Sequence, residues 1–153
     1  WHVVIYFEAV DLPELWDFFT TLPTTVVVDH MGRPDTSKPV DGPEFELFVR
    51  FMREHSNVWS KVSCPERLSV TGPNAVGGEQ QAYRDVVPFA KRIVETFPDR
   101  VLWGTDWPHP HLKNHMPDDG LLVDFIPHIA NTAALQHKLL VSNPMRLYWP
   151  EEN

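Results

Sequence analysis

Thr25-Val26-Val27-Val28-Asp29-His30 joins an unbroken β-branched run to two ionisable residues, and Gly32 and Pro34 follow as turn signals. A run of this kind suits a strand buried on both faces, the environment of a parallel sheet. Three other segments share the design: Val3-Val4-Ile5-Tyr6-Phe7-Glu8, Val58-Trp59-Ser60-Lys61-Val62-Ser63 and Val101-Leu102-Trp103-Gly104-Thr105-Asp106. Helical patterns fill the gaps. Asp11 and Glu14 have capping-box spacing ahead of the stripe Leu12, Leu15, Trp16, Phe19 and Leu22. Residues 43 to 55 carry Phe45, Phe48, Val49 and Met52 on one face, with acids early and bases late. A third pattern runs from Glu79 to Phe97, where Pro88 kinks the helix or starts a second one. Two more helical segments are expected at about 119 to 130 and 132 to 141. Strands alternating with helices predict βαβ units with right-handed parallel crossovers, in one structural unit.

The chain has 153 residues, enough for a sizeable core but short of the roughly 250 that a complete (β/α)8 barrel takes. Its composition, 42% hydrophobic and 22% charged, is that of a soluble globular protein rather than a disordered chain. Thirteen basic against 21 acidic residues give a formal charge of -8, and the bases are scattered singly, so no nucleic-acid partner is expected. No apolar run reaches membrane-spanning length and no signal-peptide pattern is present, so no membrane partner is expected either. A single cysteine, Cys64, excludes an intrachain disulfide and fits a cytoplasmic, reducing compartment. A start at Trp1, inside a strand and without methionine, reads as a chain excised from something longer.

In parallel α/β folds, reactive groups gather beyond the carboxyl ends of the strands. That rule selects Tyr6 and Glu8, His30 with Arg33, Lys61 with Arg67, and Asp106 with the loop from Trp107 to His111. By strand alternation either Asp29 or His30 points into the pocket; His30 otherwise serves a turn. Asp106 needs a metal, an imidazole or a water as partner, or else caps a helix. His109, His111 and His115 have a spacing that suggests zinc, although three prolines make their loop irregular. Cys64 is a nucleophile or, more simply, a small packed residue before Pro65. Asp29 and Lys61 are substrate contacts or ion-pair partners, and Trp103 and Trp107 are placed to line a pocket. Arg50, Arg53, Arg84, Arg92 and Arg100 fall in helices or at a helix exit, where solvation or salt bridges are expected.

Four motifs in order resemble the amidohydrolase-related family of TIM-barrel hydrolases, in particular its lactonase branch. They are Val28-Asp29-His30-Met31-Gly32-Arg33-Pro34, Asn57-Val58-Trp59-Ser60-Lys61-Val62-Ser63, Trp103-Gly104-Thr105-Asp106-Trp107-Pro108-His109 and Ser142-Asn143-Pro144-Met145-Arg146-Leu147-Tyr148. The resemblance implies an α/β fold, a partial (β/α)8 TIM barrel forming the C-terminal half, with His30 closing the fifth strand and Asp106 the eighth. It implies hydrolysis of a small anionic lactone, a carboxylated ring like a pyrone dicarboxylate, with no metal or other cofactor. Asp106 would take a proton from the attacking water, and His30 would polarise the lactone carbonyl with a His-x-His pair from the missing N-terminal half. Tyr6, Arg33 and Arg67 would hold the substrate carboxylates. That His-x-His has no matching place here, and no seventh strand is evident by pattern. Two other readings are a zinc-dependent hydrolase or decarboxylase of the same superfamily, ligated by His30 and Asp106, and a catalytically incomplete fragment or binding module.

Overall fold

The structure, a computed structural model, describes residues 1–73, 82–112 and 116–152. Among these residues four strands form, β1 (His2–Ile5), β2 (Thr25–Val28), β3 (Val58–Ser63) and β4 (Val101–Gly104), hydrogen-bonded in the order β1-β2-β3-β4. All three pairings are parallel, with Val3 beside Val26, Val27 beside Trp59, and Ser60 beside Val101. The helices are α1 (Leu12–Thr20), α2 (Pro43–Glu54), α3 (Pro65–Leu68), α4 (Val87–Thr96), α5 (Asp119–Asp124), α6 (Ile126–Ile129), α7 (Ala133–His137) and α8 (Asn143–Tyr148).

β3 runs as its sequence predicts, whereas β2 and β4 stop two residues early and β1 ends at Ile5. The β2 exit shows why. Residues 29–32 wind into a 3₁₀ turn, with His30 and Met31 in the left-handed region at φ 52° and 57°. Gly32 closes that turn at φ +67°, and a Cβ there would sit 2.9 Å from the Phe48 ring, so only glycine fits. The expectation of strands buried on both faces holds for β2 and fails for β1. Val26, Val27 and Val28 are fully buried, but Val3 and Val4 remain 40% and 44% exposed at the sheet edge.

Other local expectations are corrected. Asp11 does not cap α1: a 3₁₀ turn over Ala9–Asp11 precedes the helix, so its backbone is already helical and its side chain bonds none of the first amides. The pattern from Glu79 to Phe97 resolves to α4, which begins at Val87 with Pro88 in its first turn, so Pro88 starts the helix rather than kinking one. Residues 119 to 130 divide into α5 and α6, with Pro127 in the first turn of α6. The last segment is α7, then a π-helical turn over Lys138–Ser142 leading into α8. Residues 74–81, which include the first three of the Glu79 to Phe97 pattern, lie outside the described residues, as does His115.

Strand alternation builds two apolar layers. Val26, Val28, Val62 and Val101 face the helices and join Phe19, Phe48, Phe51, Phe89, Ile93 and Phe125 in the main core. Val27, Trp59 and Leu102 form a second cluster on the opposite face, with Leu147 of α8 packed against it. α8 lies against this second face: Asn143 Nδ2 donates to the carbonyls of Pro98 and Val101, the Arg146 guanidinium lies 4.9 Å over Trp59, and the Tyr148 ring meets His2 at 5.3 Å. Pro144 and Tyr148 also line the cavity at the carboxyl ends of the strands.

Candidate active site

Three strand exits share an unusual backbone. His30, Cys64 and Asp106, each within two residues of the end of β2, β3 and β4, all have positive φ, at 52°, 64° and 65°. A side chain costs roughly 1–2 kcal/mol in that region. Three such residues side by side, where no glycine relieves the strain, mark a place where side-chain direction takes precedence over local stability.

The side chains they aim converge. Arg67, on the short α3, donates from Nη2 to Asp106 Oδ2 at 2.7 Å and stands 3.1 Å from His30 Nε2, while its Nε donates to Cys64 Sγ at 2.8 Å. Asp106 Oδ1 lies 3.6 Å from His30 Nε2, and His30 Nδ1 is 2.8 Å from Ser63 Oγ. A guanidinium only donates, so His30 Nε2 carries the lone pair facing it and Nδ1–H donates to Ser63. Burial favours this neutral imidazole and holds His30 below the ordinary histidine range, against the opposing pull of Asp106 and Asp29. Burial likewise pushes the Cys64 thiol up to about 12, with Glu66 adding to the rise. Cys64 is a packed thiol that accepts from Arg67, and its burial disfavours the thiolate that a nucleophile needs.

Tyr6 and Arg33 meet this group through Glu8. The Tyr6 hydroxyl donates to Glu8 Oε1 at 2.5 Å, Arg33 Nε donates to Oε2 at 3.3 Å, and the Tyr6 ring packs edge-on to His30 at 6.0 Å. The Tyr6 hydrogen bond draws Glu8 below the usual carboxylate range and raises Tyr6. Arg33 Nη1 is buried with no hydrogen-bond partner among the described residues. Glu8, Arg33 and Arg67 line one cavity, of about 220 Å³. A larger cavity of about 460 Å³ is lined by Asp29, His30, Lys61, Ser63, Trp103, Asp106, Trp107 and Tyr148 among others. Both Asp29 and His30 reach it, because β2 has ended and alternation no longer applies. Asp29 is taken by Lys61 as an ion pair at 2.8 Å.

His30, Cys64 and Asp106 bring potential metal-ligand atoms within 4.8 Å of one another, with the Arg67 guanidinium bonded to two of the three and beside the third. The His109-x-His111 pair does not act together: His109 is buried and His111 exposed. Of the other arginines, Arg50, Arg53 and Arg92 pair with Glu54 and Glu46 as expected. Arg100 does not: it donates to the carbonyls of Met52, His55 and Val58, at 2.9, 2.9 and 2.7 Å. Sequence reasoning missed Ser63 as the His30 partner and Glu8 as the link between Tyr6 and Arg33. Both stand at strand ends, which was the available signal.

A parallel sheet flanked by helices, with carboxylate, imidazole and guanidinium at its carboxyl edge, defines a segment of a barrel-type α/β enzyme fold. The sequence pattern of the family described as Amidohydrolase matches residues 1–149, and the chain belongs to that family. It is 85% identical over 152 residues to 2-pyrone-4,6-dicarboxylate hydrolase of Comamonas testosteroni, covering 99% of this chain and 50% of that protein. It is 37% identical to 4-sulfomuconolactone hydrolase of Rhizobium radiobacter, covering 97% of this chain and 47% of the relative. An apo crystal structure from Agrobacterium tumefaciens superposes with TM-score 0.77 at 27% identity, over 97% of this chain and 50% of the other. The chain thus spans about half the length of the curated relatives it matches.

Proposed function

We propose that residues 1–153 are the C-terminal part of a single (β/α)8 barrel domain and supply the general base and anion-holding groups of a metal-independent lactone hydrolase. The observation that carries this is the contact of Arg67 with both Asp106 and His30 at the strand exits. Asp106 Oδ2 is held by Arg67, which leaves Oδ1, 3.6 Å from His30 Nε2, to take a proton from an attacking water. Water adds to the ring carbonyl, the ring C–O bond breaks, and the proton held by Asp106 passes to the departing oxygen.

His30 assists through its tautomer. With Arg67 against Nε2 the imidazole proton sits on Nδ1. When a substrate carboxylate displaces the Arg67 contact at Nε2 while Arg67 keeps its bond to Asp106, the Ser63 hydroxyl reverses to donate to Nδ1 and the Nε2–H form donates to the carbonyl oxygen. An anionic substrate suits a protein of formal charge -8 only where cations are concentrated locally, and Arg33 and Arg67 share one cavity wall beside Tyr6 and Glu8. The two relatives' names denote hydrolases of ring esters bearing carboxylate or sulfonate groups, which supports a carboxylated lactone of the kind met in aromatic-compound degradation. The buried free thiol of Cys64 favours a cytoplasmic setting.

In the full-length protein, Asp106→Asn is expected to lower kcat on 2-pyrone-4,6-dicarboxylate by about 10²–10⁴-fold while leaving substrate binding measurable by calorimetry. Near-normal turnover would remove Asp106 from the base role.

A second reading, zinc held by His30 and Asp106, gains from the closeness of Cys64 to both. A guanidinium in the midst of a would-be dication site, bonded to Cys64 and Asp106 and beside His30, argues against it. Activity that survives chelation in a preparation free of stoichiometric metal supports the metal-independent reading, and loss of activity restored by zinc overturns it.

A further inference from the structure

His109 is 3% exposed, yet both of its ring nitrogens face carboxylates. Nδ1 lies 3.2 Å from Glu66 Oε1 and Nε2 lies 3.2 Å from Asp119 Oδ1. A neutral imidazole has one proton to give, so two acceptors cannot both be served by it. Glu66 resolves the conflict. Its side chain is fully buried, and burial raises its pKa, which favours the carboxyl as the donor to Nδ1, with Nε2–H donating to Asp119. The three residues come from three separate segments, α3, the loop after β4, and α5.

The placement of this chain of hydrogen bonds has a consequence for the site. Glu66 immediately precedes Arg67, and the His109 amide donates to the Asp106 carbonyl at 2.8 Å, closing the turn that carries Asp106. The Glu66–His109 bond therefore joins the turn bearing the guanidinium to the turn bearing the carboxylate. Both turns are strained, with Cys64, Asp106 and His109 at φ 64°, 65° and 57°. Short strained turns need an external tie to hold one geometry.

We infer that His109 is a positioning residue: with Glu66 and Asp119 it forms a buried clamp that fixes Arg67 against Asp106. The inference rests on the hydrolase reading for its kinetic consequence and not for its geometry. A merely structural histidine would lower the melting temperature when replaced and leave turnover per folded molecule unchanged. The clamp predicts the reverse weighting. In the full-length protein, His109→Leu lowers kcat on 2-pyrone-4,6-dicarboxylate by about tenfold or more at temperatures well below melting. His109→Gln, which can accept from Glu66 and donate to Asp119, recovers most of that loss. Equal kcat for wild type and His109→Leu, or no recovery by His109→Gln, overturns the clamp.

Two further measurements decide it if His109→Leu does not fold or if the wild type opens no such ring. Nitrogen-15 spectra of histidine-labelled protein are expected to show His109 as the Nε2–H tautomer, and an Nδ1–H tautomer overturns the assignment. Asp119→Ala, at the exposed end of the clamp, is expected to shift the His109 Nε2 resonance, and an unmoved resonance overturns it. Failure of ring opening with these spectra as expected would defeat the hydrolase reading and leave the clamp standing.

Discussion

His30 shows how much of a residue's chemistry its neighbours decide. Burial lowers its pKa, while Asp106 and Asp29 pull the other way and Arg67 and Arg33 reinforce the lowering. The imidazole therefore stays neutral to a pH below the ordinary value of about 6.5. In the folded state protonation is delayed relative to the unfolded chain, so the stability contributed by the neutral ring is complete above about pH 6.5 and declines as pH falls through that value. The acid limb of kcat/KM is expected below pH 6.5 for the same reason. Arg67→Met removes a charge that opposes protonation, and it should move that limb to higher pH and also weaken binding of carboxylated rings; a limb that stays put, with KM unchanged, would detach Arg67 from both roles. His30, Asp106, Arg33 and Arg67 were legible in the sequence because each follows an apolar run that ends in a parallel strand. Ser63 and Glu66 were not, since a serine or an acid at such a place has no pattern separating a site partner from a cap.

Elements were legible where a long periodic stripe met a buried face, and less so at their ends. α2 lies where its stripe puts it because Phe45, Phe48, Val49 and Met52 all find the main core. The Asp11 capping box and the single helix expected at 119 to 130 failed for a shared reason: a preceding turn or an internal proline altered the backbone before the side-chain pattern could act. Arg100 illustrates the limit more sharply. Its charge and its place at a helix exit suggested solvent, yet it is partly buried, stacks 5.0 Å over Phe97, and ties the carbonyls that end α2 to those that begin β3. Burial without a carboxylate lowers its pKa, a sign of three neutral acceptors standing in for a counter-ion. Arg100→Met is expected to destabilise the fold by about 2–3 kcal/mol, since charged hydrogen bonds to buried carbonyls are lost together. Urea denaturation measures this, with Arg50→Met, which removes an exposed ion pair, expected to leave the midpoint unchanged. Equal midpoints for the two variants would reduce Arg100 to a surface residue.

At the scale of the whole molecule, the sheet is covered unevenly. β2 and β3 lie between neighbours and are buried, whereas Val3 and Val4 point to opposite faces of β1 and both remain exposed. A strand uncovered on both faces and along one edge is a template for association. The cavity beside Asp106 and His30 is likewise walled by strands from one side only, and among the described residues no second imidazole lines it to share a developing oxyanion. Two outcomes follow for residues 1–153 expressed alone. The chain is expected to elute from a sizing column above its monomer size at micromolar concentration, and Val3→Lys with Val4→Lys should return it toward monomer by charging the edge. It is also expected to turn over no pyrone dicarboxylate, because Asp106 can accept a proton there while the oxyanion is left without its full set of donors. Turnover by the isolated chain at the rate of the full-length protein would mean that the groups around His30 and Arg67 suffice, and that the covering half of the barrel contributes shelter rather than chemistry.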